Sequence, residues 1–327
     1  MIQRLFGRSG KSVATRAALL AGFAFLALLA AFGCDTSQVT EPTSNGVVWT
    51  RITDAATIEN PFFPDWRGDS IAFEYFDANG VSRHAIIHED GQGARFLPGG
   101  FFITSDRYPR WVSDSILVFA TNRASGSTYD IWYRNTRTGT VRAFTAYSGS
   151  EWDPAPRPGL PGLAYCEGGS AVNGRITLIP DTVVANVQRI YLTPSGLRAG
   201  EADWNPAGDK IAFSAADSGQ TPRHIWVASL SPGDTTLTQL TTGTTHDYSP
   251  HWSPDGSRIY FVSDRTARSG VWWVDPAGEA SGLDVVAFED KGAEIITLDV
   301  SPDGTRIAVS SDGHGLGRAL WILSNLP

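Results

Sequence analysis

The chain has 327 residues, six histidines, two cysteines and a formal net charge of −8. That length allows one large core or two ordinary ones. Without its first 33 residues, which carry four basic and no acidic groups, the chain has 22 basic against 34 acidic side chains, a net charge of −12. That balance argues against nucleic acid and against electrostatic attachment to anionic lipid.

Arg4, Arg8, Lys11 and Arg16 precede an unbroken apolar run of 17 residues, 17–33. A basic head followed by such a run reads as an export signal, and residues 1–33 are set apart from the fold. The run ends in Ala31-Phe32-Gly33-Cys34, which resembles a bacterial lipobox. The resemblance implies that Cys34 is lipidated and becomes the mature N-terminus, although Ala31 stands where the family has Leu and Phe32 is bulky for its place. An uncleaved transmembrane anchor, at the short limit for a ~30 Å hydrocarbon core, and ordinary secretion are the alternatives. All three place the body outside the cytoplasm, and the expected location is the periplasmic side of the bacterial cell envelope, attached to the membrane. With Cys34 lipidated, Cys166 has no partner within the chain, and its apolar strand makes it a buried, inert thiol.

Residues 34–46 are polar and read as a tether. Residues 47–327 then repeat one unit. Aligned on the end of the first strand of each unit, Trp66, Trp111, Pro156, Trp204, Trp252 and Val300 are spaced 45, 45, 48, 48 and 48 apart. A fixed period in this range marks a repeat architecture, and four strands per unit mark a propeller. The fifth unit is the clearest copy. Its turn Ser253-Pro254-Asp255-Gly256 combines a fixed φ with a residue that tolerates positive φ, and it leads into the β-branched and aromatic Ile259-Tyr260-Phe261-Val262 and then Val271-Trp272-Trp273-Val274. Outer strands are expected at 94–98, 141–145, 188–193, 238–241 and 283–288. The sixth is supplied from the other end by 47–53. The expected fold is therefore all-β: a six-bladed β-propeller of four-stranded blades, closed by the N-terminal strand completing the last blade, which leaves no open edge.

The string Ser249-Pro250-His251-Trp252-Ser253-Pro254-Asp255-Gly256, with Ile259-Tyr260-Phe261 and Ser263-Asp264-Arg265, resembles the TolB-type propeller repeat, a relative of WD-type repeats; Ser301-Pro302-Asp303-Gly304 repeats the turn. The resemblance spans residues 47–327. It implies an envelope protein that binds another envelope protein. The α/β domain that precedes the propeller in TolB is expected to be missing, so the partner of TolB does not carry over. Similar propellers cap prolyl oligopeptidase-type catalytic domains. No Gly-x-Ser-x-Gly elbow occurs here and no hydrolase domain follows Pro327, so the expectation is a non-enzyme.

Candidate sites fall in two sets. Asp106, Glu151 and Asp247 each stand five residues before the aligned position, with Glu294 one residue out of register. Inner strands begin beside the channel, so these acids are expected to ring one channel mouth, where calcium would find several oxygen ligands. The alternative is that they cap their strands. The loops after each second strand, 77–84, 121–130, 215–223, 264–270 and 311–318, share one face and carry Arg83, Arg123, Arg223, Arg265, Arg268 and Arg318. Arginine is favoured at interfaces and reads carboxylates. His246 and His251, five apart on a strand, point to opposite faces and read as turn and surface side chains. Asp255 and Asp303 read as turn residues. The function these features suggest is a membrane-anchored scaffold that binds an envelope or membrane protein. A permanent structural subunit, or a channel that binds a small ligand or cation or acts as an enzyme, are the alternatives.

Overall fold

The computed structural model describes residues 40–42, 46–54, 57–100, 104–170, 173–180, 189–217, 221–266, 268–288, 294–312 and 317–327. Residues 1–33, where the export signal is expected, Cys34 and most of the expected tether lie outside them. Among the described residues there is no helix.

The chain opens with β1 (Thr40–Pro42) and β2 (Val48–Arg51). The first unit follows as β3 (Glu59–Arg67), β4 (Ser70–Phe76), β5 (Ser82–His88) and β6 (Arg95–Phe96). The second is β7 (Asp106–Ser113), β8 (Ile116–Thr121), β9 (Asp130–Asn135) and β10 (Val141–Ala143). The third is β11 (Glu151–Pro156), β12 (Leu163–Gly168), β13 (Gly174–Ile179) and β14 (Ile190–Tyr191). The fourth is β15 (Leu197–Trp204), β16 (Lys210–Asp217), β17 (His224–Ser231) and β18 (Asp234–Gln239). The fifth is β19 (Asp247–Trp252), β20 (Ile259–Ser263), β21 (Gly270–Val274) and β22 (Leu283–Phe288). The last has β23 (Ile295–Val300), β24 (Ile307–Ser311) and β25 (Ala319–Ser324).

Each unit is an antiparallel meander. The third and fourth meanders touch through a single pair, Gly174 with Ala199. The last unit is completed from the chain's start: β2 pairs antiparallel with β25, Val48 opposite Ser324 and Arg51 opposite Trp321. β1 adds outside β2, so part of the expected tether is strand.

The middle strands are buried on both faces. Ile71, Ala72 and Phe73 of β4 and Leu117, Val118 and Phe119 of β8 are fully buried. The reason is that apolar clusters lie between successive sheets rather than in one centre. Ile71 and Phe73 of the first unit share a cluster with Ala308, Leu320 and Ile322 of the last. Tyr260 and Val262 of the fifth share one with Leu298, Val309 and Trp321 of the last. Cys166 is buried, with Sγ 3.3 Å from Ser170 O and Ala199 O, and burial pushes its thiol up to about 12.

The Ser-Pro-Asp-Gly turns are built as the sequence implies. Gly256 has φ +71°. Ser253 Oγ donates to Asp255 Oδ1 at 2.6 Å, and Gly256 N donates to Ser253 O at 2.9 Å. Hydroxyl and backbone donors from Ser253 and Ser257 hold Asp255 down at about 2. Asp303 has the same arrangement with Ser301 and Thr305. Both acids are turn residues.

Trp49 of β2 is 1% exposed and sits edge-on to Trp321, ring centroids 6.3 Å apart. Trp49→Ala is expected to cost roughly 3–5 kcal/mol through the cavity it leaves, a fall on the order of 10 °C in Tm. Thermal denaturation followed by tryptophan fluorescence checks this, with the exposed Val112→Ala as the neutral comparison.

Candidate functional site

Two of the four acids singled out by sequence, Asp106 and Asp247, pair with two of the six arginines, Arg123 and Arg265. Asp106 opposes Thr121 across the β7–β8 ladder, which brings Arg123 over its carboxylate. Asp106 is fully buried and accepts from Arg123 Nε at 3.0 Å, Arg134 Nη2 at 2.8 Å and Thr121 Oγ1 at 2.8 Å. Against burial, these donors hold Asp106 below the usual carboxylate range. The fifth unit repeats the device. Asp247 opposes Ser263, and Arg265 reaches back to Asp247 Oδ2 at 2.8 Å and on to Glu279 at 3.0 Å. A carboxylate without solvent stays charged only when paired, so these acids serve their own sheets.

The remaining candidates do not pair with one another. Glu151 opposes Glu167, and the position that holds arginine in the other two units is Gly169. Glu151 is buried with Thr145 Oγ1 at 3.0 Å, and burial pushes it up to about 8. Glu294 is exposed. Arg83 is buried, bonded to Asp77 at 3.0 Å and to Thr104 O. Arg223 donates to Ser214 O at 2.7 Å. Arg268 is exposed, and the Arg318 guanidinium lies over the Phe62 ring at 4.3 Å. Asp106 and Asp247 are thus engaged by arginines of their own sheets, and Arg83, Arg123, Arg223 and Arg265 each bond within the fold. Among the described residues no group of three His, Cys, Asp or Glu is arranged to hold a metal ion.

A different set of residues meets at the centre. Each of β3, β7, β11, β15, β19 and β23 carries a register shift in its pairing with the strand that follows. At five of these bulges a non-glycine residue has positive φ: Phe63 (49°), Tyr108 (53°), Asp153 (47°), Glu201 (56°) and Ser249 (52°). Such conformations cost of order 1–3 kcal/mol each and gather at functional sites. Proline follows in four of the five, where its missing N–H leaves no ladder bond unmade. These residues stand three before the aligned position, and Asp65, Arg110, Asp203, His251 and Asp299 stand one before it. Phe63, Tyr108, Arg110, Asp153, Glu201, Ser249, His251 and Thr297 line one cavity of about 20 Å³. His251, read as a surface side chain, is 6% exposed and belongs to it.

The polar groups around the cavity tie neighbouring units together. Asp65 accepts the Trp111 N–H and Asp299 the Trp66 N–H. Asp203 accepts the Trp252 N–H at 2.8 Å. Arg110 reaches Asp65 at 3.2 Å and Ala202 O at 3.4 Å. Burial pushes Asp65 and Asp299 up to about 6, against the pull of Arg110. It pushes Asp153 up to about 7, with Glu201 and Asp203 adding to it against Arg110. Burial also holds His251 neutral, down at about 4. Its 3.1 Å contact with Asp299 is thus a neutral ring against a carboxyl.

Beside the cavity runs an arc of aromatic rings. Phe76 meets Phe62 at 6.0 Å, Phe62 meets Phe63 at 6.0 Å, and Phe63 meets Tyr108 at 4.4 Å. Tyr108 meets Trp152 at 6.4 Å, and Trp152 stacks on Tyr129 at 4.0 Å. All six are half-buried. Phe76 ends β4 and Tyr129 immediately precedes β9, so the arc lies on the face of the second loops. The signal that marks the cavity in the sequence is the residue just before each aligned aromatic: acid, arginine, acid and histidine in Asp65-Trp66, Arg110-Trp111, Asp203-Trp204 and His251-Trp252.

Residues 182–322 match the TolB beta propeller domain. No curated protein sequence matches the chain. Among solved structures, TolB from Acinetobacter baumannii superposes with a TM-score of 0.59 at 17% identity, covering 80% of this chain and 66% of that one, less than two thirds of its length. An oligogalacturonate lyase from Vibrio parahaemolyticus gives 0.54 at 14% identity, covering 88% and 96%. A puromycin-hydrolyzing peptidase from Mycobacterium tuberculosis gives 0.56 at 15%, covering 83% of this chain and 48% of that one. At such identities the shared property is the fold, a TolB-like propeller, and the neighbours include enzymes as well as TolB.

Asp153 gives a signed pH prediction. Its folded value of about 7 lies above its ordinary 3.8, so its contribution to stability is complete below about pH 4 and is lost as pH rises through about 7. Asp153→Asn removes that loss. The variant is expected to melt higher than the parent at pH 8, by an amount on the order of 2 kcal/mol, and level with it below about pH 4. Melting curves of both proteins across that range check the sign.

Proposed function

We propose that this TolB-like propeller is a protein-binding scaffold of the bacterial cell envelope. In this reading residues 1–33 are the export signal, Cys34 carries lipid, the tether runs through residue 46, and residues 47–327 form six blades closed by β2. Support for closure comes from the pairing of β2 with β25 and from the hydrogen bond that joins Asp299 of the last unit to Trp66 of the first.

The observation that carries the binding role is the aromatic arc. Six half-buried rings touch one after another on a rigid strand framework, and aromatic residues are enriched at the cores and hot spots of protein interfaces. Loops and strand ends on such a scaffold are the usual seat of recognition. The enzyme reading draws less support. A cavity of about 20 Å³ holds one water-sized group and no sugar ring, and the acids around it repel a polyanionic substrate. The partner is another envelope or membrane protein. Whether it docks transiently or as a permanent subunit is read from its stoichiometry on purification.

Two experiments test this reading. In affinity purification from native membranes the parent protein is expected to retain a partner that the double variant Phe62→Ala, Tyr129→Ala loses at least ten-fold. Phe96→Ala, an exposed ring on an outer strand, is expected to retain it. Equal retention by the double variant overturns the role of the arc. Separately, Cys34→Ala is expected to move the protein from the membrane fraction to the soluble fraction. If it stays in the membrane at its original size, lipidation is wrong.

A further inference from the structure

We propose that the central cavity seats one primary ammonium group, the tip of a lysine side chain presented by the protein partner. The inference rests on the scaffold reading and names the chemistry of its partner.

Asp153 is 5% exposed, lines the cavity, and its Oδ2 has no hydrogen-bond partner among the described residues. Its neighbours are provided for by the fold. Glu201 Oε2 accepts from Ser249 N at 3.2 Å and from Ser214 Oγ. Asp65 holds Arg110 and the Trp111 N–H. Arg110 points its two terminal nitrogens at Asp65 and Ala202 O, leaving Asp153 Oδ2 unanswered. A buried acceptor left without a donor is costly, and a donor that arrives with its own positive charge gains most from filling it.

The size of the cavity and the chemistry of its walls suit the same group. About 20 Å³ admits one water-sized group. A primary ammonium is of that size and brings three donors, whereas a guanidinium or a quaternary ammonium is too large. Phe63 and Tyr108, 4.4 Å apart, form an aromatic wall of the same cavity, and aromatic faces attract a cation. The net charge of −12 for the chain beyond its first 33 residues draws a basic partner toward the scaffold.

The probe is n-propylammonium, which reproduces the end of a lysine side chain. Ligand-detected saturation-transfer NMR and thermal shift are run on the full folded protein at pH 8. Methylguanidinium, tetramethylammonium, potassium and calcium are matched for ionic strength. Propylammonium is expected to show transfer and raise Tm, with methylguanidinium and tetramethylammonium silent. Asp153→Asn is expected to weaken binding at least ten-fold, and Tyr108→Leu, which keeps every carboxylate, several-fold. No propylammonium binding, or binding unchanged in Asp153→Asn, overturns the proposal. Calcium binding with propylammonium silent also overturns it and makes the cavity a metal site. Because the probe is an amine and not the partner, these outcomes are independent of the membrane purification.

Discussion

The fold depends on carboxylates that reach from one unit to the backbone of the next. Asp65, Asp203 and Asp299 each stand at the end of an inner strand and accept the N–H of the aligned residue in the following unit. Sheets that stack face to face through Ile, Leu and Phe are free to slide, because apolar contact is non-directional. A charged acceptor on a defined N–H fixes their angle and height. The cost is burial of charge in the middle of the molecule, visible in the raised values of Asp65 and Asp299. The charge-assisted bonds and Arg110 offset that cost.

The same constraint explains what was legible in the sequence. Turn chemistry and strand composition repeat with the units, so the strand order, the sheets and the origin of the fourth strand of the last unit could be read directly. The centre could not. Strict alternation along β7 puts Asp106 and Arg110 on one face, and the same holds for Asp247 and His251 on β19. A bulge between them adds one residue and inverts the alternation. Asp106 and Asp247 therefore turn into their own sheets to meet Arg123 and Arg265, while Arg110 and His251 turn to the cavity. The residue at the strained position does not announce the bulge, since side chains as different as those of Phe63, Asp153 and Ser249 occupy it, and the proline that follows in four of the five is the one local mark.

The arginine pairs illustrate how a repeat diverges around a fixed need. Units two and five answer a buried acid at the start of the inner strand with a guanidinium from the second loop. Unit three keeps the acid, has glycine in place of the arginine, and holds a carboxyl whose affinity for its proton is raised. Identical backbone positions thus carry a charge pair in one sheet and a neutral carboxylic acid in another, and the difference is set by one residue two places beyond the acid's partner on the second strand.

The bond between Asp299 and Trp66 joins residues 233 apart in the chain, and Leu320 meets the Thr53 hydroxyl across 267. Contacts of this span are the last to form and slow the search for the native state. Until the final strands exist, the first unit has an inner strand with its backbone donor unmet and an apolar face uncovered. The two ends of the polypeptide are in this sense one element: a cut near either terminus leaves the other exposed, and a single proteolytic nick there would loosen sheets that are far apart in sequence.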